Sequence, residues 1–150
     1  MTEAFRATFV GAAGLGLALG WLAWRITRLD VRAPDRLVLE LRLAQFSALL
    51  LVLAAGIYMG LALAHEATAG TGLDVAIAIG FFVAAGVVTT WEPTQALTAL
   101  AMAWGAHALV DLAHIVDLLP STVAPSWYAS GCAVYDVLVA AICFLPVLRR

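Results

Sequence analysis

Residues 104–117 read Trp104-Gly-Ala-His107-Ala-Leu-Val-Asp111-Leu-Ala-His114-Ile-Val-Asp117, an apolar run interrupted by four ionisable side chains. At 3.6 residues per turn, His107, Asp111 and His114 fall on one stripe of one helix. An ionisable group at membrane depth is costly, and it faces a bundle interior or a wet cavity when it is kept. The stripe therefore marks where any chemistry of this chain would sit.

The rest of the chain agrees that the setting is a bilayer. Of 150 residues, 64% are hydrophobic and 12% are charged. Mean hydropathy is +1.00. A soluble domain carries about 45–50% apolar and about 25% charged residues, so the reading is an integral membrane protein. The length suits a single transmembrane helical domain. A net charge of −2 with no basic stripe gives no reason to expect nucleic acid as a partner. There is no Gly-rich phosphate loop, no Gly-x-Ser-x-Gly elbow, no Cys-x-x-Cys and no His-Glu-x-x-His, so phosphate chemistry and nucleophilic hydrolysis have no support. Cys132 and Cys143 share one predicted helix about 16 Å apart along its axis, too far for a disulfide.

Outward from residues 104–117, the apolar segments predict an all-α bundle of five transmembrane helices, at about 5–28, 38–65, 73–90, 94–119 and 126–148. The first ends against Arg25, Arg28, Arg32 and Arg36. Its Ala12-x-x-x-Gly16-x-x-x-Gly20 row lets another backbone come close, and permits a homo-oligomer through that face. Leu29 to Arg42 reads as an interfacial loop followed by the first turns of helix two. Pro93 suits the first turn of helix four. Arginines crowd the loop after helix one and the extreme C-terminus, so the positive-inside rule puts the N-terminus outside and the C-terminus in the cytoplasm. The expected location is the cytoplasmic membrane of a bacterium, with the lipid bilayer as the first partner.

Axial rise converts this topology into depths. His107 and Asp136 fall near the midplane. Asp111, Cys132 and Tyr58 lie about 6 Å further out, and His114 and Tyr128 at about 10–12 Å. Asp117, His65 and Asp74 lie at the outer rim. The expected geometry is a polar cavity opening outward between helices two, four and five, lined by Tyr58, Tyr128, Cys132 and Asp117. The inner half reads as nearly featureless, with Glu40 and Glu92 only at its rim.

Two kinds of chemistry suit this set. Histidine with carboxylate is what a borderline transition metal takes, and Asp111, His114 and His65 are candidate ligands. A b-type haem would need His65 to oppose His114, at depths that do not match. Without a metal, His107 and Asp136 form an acid–base pair with Asp111 beside them, able to protonate an alkene or epoxide and accept the proton elsewhere. The leading expectation is a membrane-embedded enzyme of isomerase or cyclase type, or a metal-assisted one, acting on a lipophilic small molecule. The alternatives are a proton- or metal-ion-handling transporter or channel, and an accessory subunit whose cluster is structural.

Residues 91–145 also resemble a group of small bacterial multi-pass membrane proteins. Their penultimate helix carries His-x-x-x-Asp-x-x-His, matched here by His107, Asp111 and His114. A short Pro-containing loop follows, then a last helix with a Cys-x-x-x-Asp step, matched by Cys132 and Asp136. The group often has Trp before that Asp and a further His after the last one, where this chain has Val110 and Ile115. The resemblance implies a helical membrane fold and brings no activity with it.

Overall fold

A computed structural model describes residues 3–64, 71–119 and 124–150. Five helices make up the architecture: α1 (Glu3–Thr27), α2 (Pro34–Ala64), α3 (Thr71–Val88), α4 (Pro93–Ile115) and α5 (Ser126–Leu148). Four of them, α1, α2, α4 and α5, are long and apolar enough to cross a membrane. The 18 residues of α3 span about 27 Å, a little short of the roughly 30 Å hydrocarbon core. Leu17, Leu53, Leu109, Val134 and Leu138 are each more than half exposed, so the outside of the bundle is as apolar as its inside. A helix that is hydrophobic all round suits lipid as its solvent.

Two helix boundaries differ from the expected ones, and each difference has a local cause. Helix α2 starts at Pro34, where the fixed φ of proline favours a first turn, and Asp35 sits at the positive end of the helix dipole. Arg36 and Glu40 therefore belong to a helix face. Helix α4 stops at Ile115 instead of about 119. Asp117 adopts φ 57°, the left-handed region, and its N–H donates to His114 O at 3.4 Å. The Leu118 N–H donates to Ala113 O at 2.8 Å, which completes a Schellman-type stop. Asp117 is thereby left exposed just past the end of the helix.

The glycine row of α1 is used inside the chain. A Cβ at Gly16 would come 3.3 Å from the Tyr135 ring, and one at Gly20 would meet Ile142 at 3.9 Å, so both glycines face α5. Gly11 and Gly14 have open space beside them.

The half of the bundle nearest the arginines is closed. Leu43, Leu51, Leu97, Leu100, Trp104 and Val139 are fully buried there. Within this packing the Trp104 Nε1–H donates to Ser47 Oγ at 2.9 Å, and Ser47 Oγ lies 3.0 Å from Cys143 Sγ. This half is less featureless than its sequence suggests. Arg36 donates to Glu40 Oε1 at 2.9 Å, and also to Pro146 O at 3.0 Å and Arg149 O at 3.3 Å. Those carbonyls close the C-terminus of α5, where helical partners run out and the dipole favours a cation. Arg150 adds a 2.6 Å bond to Glu40 Oε2, so a buried carboxylate holds two guanidinium groups.

Candidate ion site in the bundle core

Helix α4 places His107 and Asp111 one turn apart on the same face, and α5 brings Asp136 opposite them. His107 Nδ1 lies 2.6 Å from Asp136 Oδ2 and 3.8 Å from Asp111 Oδ2. All three residues are buried, Asp111 completely. Buried Ala108, Ala129 and Ala133 add little bulk on α4 and α5, which lets these two helices approach closely. From α2, the Tyr58 hydroxyl donates to Asp111 Oδ1 at 2.5 Å. Asp111 Oδ2 has no hydrogen-bond partner among the described residues. His107 and Asp136, expected as a pair at one depth, do meet, and Tyr58 and Asp111, expected only to share the next depth, are hydrogen-bonded.

A second layer lies one turn further from the arginine end. The Tyr58 ring stacks on His114, with 5.3 Å between ring centres and 15° between planes. His114 Nε2 is 3.3 Å from Asp74 Oδ1 on α3. Phe81, also on α3, packs at 4.9 Å from the His107 ring, and Trp104 lies beneath at 6.2 Å. Tyr58, Asp74, Phe81, His107 and His114 enclose a small cleft with room for about one water molecule.

The cleft lies among α2, α3 and α4, and not between helices two, four and five. No residue of α5 lines this cleft, and its third wall is α3. Of the expected lining residues, Tyr58 is in place. Tyr128 and Cys132 sit above it, Tyr128 meeting the Tyr58 ring edge-on at 5.8 Å and both packing in one small cluster with Tyr58. Asp117 is exposed and does not line the cleft. His65 lies outside the described residues. His114 pairs with Asp74, and the metal-capable group it was expected to join is completed by His107 instead.

Asp74 was placed at the outer rim but not among the site residues, and Phe81 was not singled out. A lone Asp in the first turn of an apolar helix reads as a favourable dipole partner. Its being the single charged residue of α3 was the available clue.

The donor set can be tested for a metal ion. Ligand atoms of His107, Asp111 and Asp136 all lie within 4.8 Å of one another. A transition metal binds nitrogen and oxygen at about 2.0–2.2 Å, so two ligands of one ion are at most about 4.4 Å apart. That limit is reached only by ligands trans to each other; around a tetrahedral ion they are about 3.3–3.6 Å apart, so the 2.6 Å His107–Asp136 contact must open and the widest pair must close by up to about 1.5 Å. One nitrogen and two carboxylates suit zinc, manganese or ferrous iron. The two described histidines lie on one helix, and the described residues contain no opposed imidazole pair of the kind a bis-histidine haem needs. No family model, no curated protein and no solved structure matches the chain.

Proposed function

We propose that the protein handles ions within the membrane and binds one divalent transition-metal ion between His107, Asp111 and Asp136. The observation that carries this reading is Asp111 Oδ2, buried 3.8 Å from His107 Nδ1 and without a hydrogen-bond partner among the described residues. Two ionised carboxylates and a protonated imidazole leave one negative charge uncompensated at membrane depth, where charge is costly. A divalent cation with a neutral imidazole brings the same three side chains to zero net charge. Tyr58 supports the arrangement as an outer partner that orients Asp111.

By the positive-inside reading, the Asp74 end of the bundle faces the outside of a bacterial cytoplasmic membrane. The cleft lies toward that end, while packed leucines and Trp104 close the other. This favours binding or delivery from one side over a continuous channel.

The 2.6 Å contact of His107 with Asp136 favours a second reading, acid–base catalysis on a lipophilic molecule. That activity requires α3 to part from α4, because the cleft holds about one water.

The test is Zn²⁺ titration of detergent-purified, chelator-stripped protein, with helicity and elution volume as checks on folding. One ion per chain, lost in Asp111→Asn and Asp136→Asn variants that still fold, is the expected result. Folded wild-type protein that binds no ion contradicts the proposal. Variants that lose their fold together with the ion point to an accessory subunit with a structural cluster.

A further inference from the structure

Asp74 is a buried acid whose surroundings differ from those of the other buried acid outside the core site. Glu40 holds guanidinium groups from Arg36 and Arg150. Asp74, only 3% exposed, has neither carboxylate oxygen in a hydrogen bond among the described residues. Among the described residues, the ionisable group beside it is the His114 imidazole at 3.3 Å. A carboxylate taken out of water on those terms is costly unless it takes up a proton or a cation joins it.

Its position adds a direction. Asp74 and His114 line the same cleft as Tyr58 and His107. The cleft thus connects the outer pair to the ring whose Nδ1 faces Asp136 and Asp111. On the opposite side of His107 stand the Trp104 ring, hydrogen-bonded to Ser47, and the buried Leu43, Leu97 and Leu100. A cation has carboxylate and imidazole ligands on one flank of the core triad, and indole and leucine on the other.

We propose that Asp74 and His114 form the entry position for a divalent transition-metal ion, held there by a carboxylate oxygen and an imidazole nitrogen before it passes to His107, Asp111 and Asp136. This rests on the ion reading of the core. The entry pair supplies two protein ligands and keeps the remaining positions for water, so it binds more weakly than the three-ligand site and releases inward. The Tyr58 ring, stacked on His114 while its hydroxyl holds Asp111, lines the cleft beside both positions.

The experiment separates rate from affinity in the full chain. Stripped protein in detergent is mixed rapidly with Zn²⁺ held by a fluorescent chelator, and the transfer is followed in time. Asp74→Asn and His114→Gln should slow loading tenfold or more while the equilibrium Kd stays within about threefold of wild type. Asp74→Glu keeps a carboxylate and should load at close to the wild-type rate, which keeps the test valid if Asp74→Asn folds poorly. Wild-type loading rates in both Asp74→Asn and His114→Gln overturn the entry assignment and leave the core site standing. A loss of affinity in Asp74→Asn as large as in Asp111→Asn also overturns it, by making Asp74 a core ligand. Absence of Zn²⁺ binding in folded wild-type protein removes the core reading and this one together.

Discussion

The Tyr58 hydroxyl on α2 donates to Asp111 Oδ1 on α4 at 2.5 Å, and this decides which oxygen of Asp111 is left over. Oδ2 then faces His107 Nδ1 at 3.8 Å, with no hydrogen-bond partner of its own among the described residues. Tyr58→Phe removes the orienting bond and leaves both oxygens of a buried carboxylate free to turn. Loss of such an outer partner lowers metal affinity roughly 10–100-fold. Zn²⁺ titration of a folded Tyr58→Phe variant should give a loss in that range.

The close approach of α1 to α5 depends on Gly16. A side chain there starts 3.3 Å from the Tyr135 ring, so Gly16→Leu forces the helices apart. Overpacking of this kind costs about 1–3 kcal/mol. Gly11→Leu enters open space and should change stability little. Thermal unfolding in detergent compares the two, and an equal effect at both positions would contradict the packing described.

The clasp at the arginine end should respond unequally to its two sides. Glu40→Gln strands the guanidinium of Arg36, itself buried, and breaking a buried pair costs about 3–5 kcal/mol. The Arg150 side chain is 42% exposed, so solvent screens its bond, and Arg150→Ala should cost under about 1 kcal/mol. Unfolding midpoints of the two variants give the comparison directly.

Asp117 ends α4 in a left-handed conformation that glycine adopts without penalty. Asp117→Gly should therefore leave stability unchanged or raise it by about 0.5–1 kcal/mol. Zn²⁺ affinity should not move, because this side chain is outside the cleft. A clear loss of affinity would return Asp117 to the site.

Much of this arrangement was legible from spacing. His107 and Asp136 meet because counting residues from each helix middle puts them at one depth, and Tyr58 meets Asp111 for the same reason. Depth, however, does not say which helices are neighbours. Asp74 escaped because partners on α3 depend on how that helix rotates and leans, which no period in an apolar segment records. Asp117 was expected to line the cavity because helix four was read as running to about 119, and a left-handed residue ends it sooner. Arg36 and Glu40 were read as interface because charge near a helix start normally meets water, and the carbonyls of Pro146 and Arg149 that draw Arg36 inward lie over a hundred residues away.

X-ray absorption at the zinc edge, on protein carrying one equivalent of Zn²⁺, tests the core site most directly. The account predicts a first shell of one imidazole nitrogen with carboxylate or water oxygens at about 2.0–2.2 Å and no sulfur, with the imidazole signal lost in His107→Ala. A sulfur shell at about 2.3 Å would move the ion to Cys132 or Cys143 and contradict it. So would a shell left unchanged when His107, Asp111 and Asp136 are replaced.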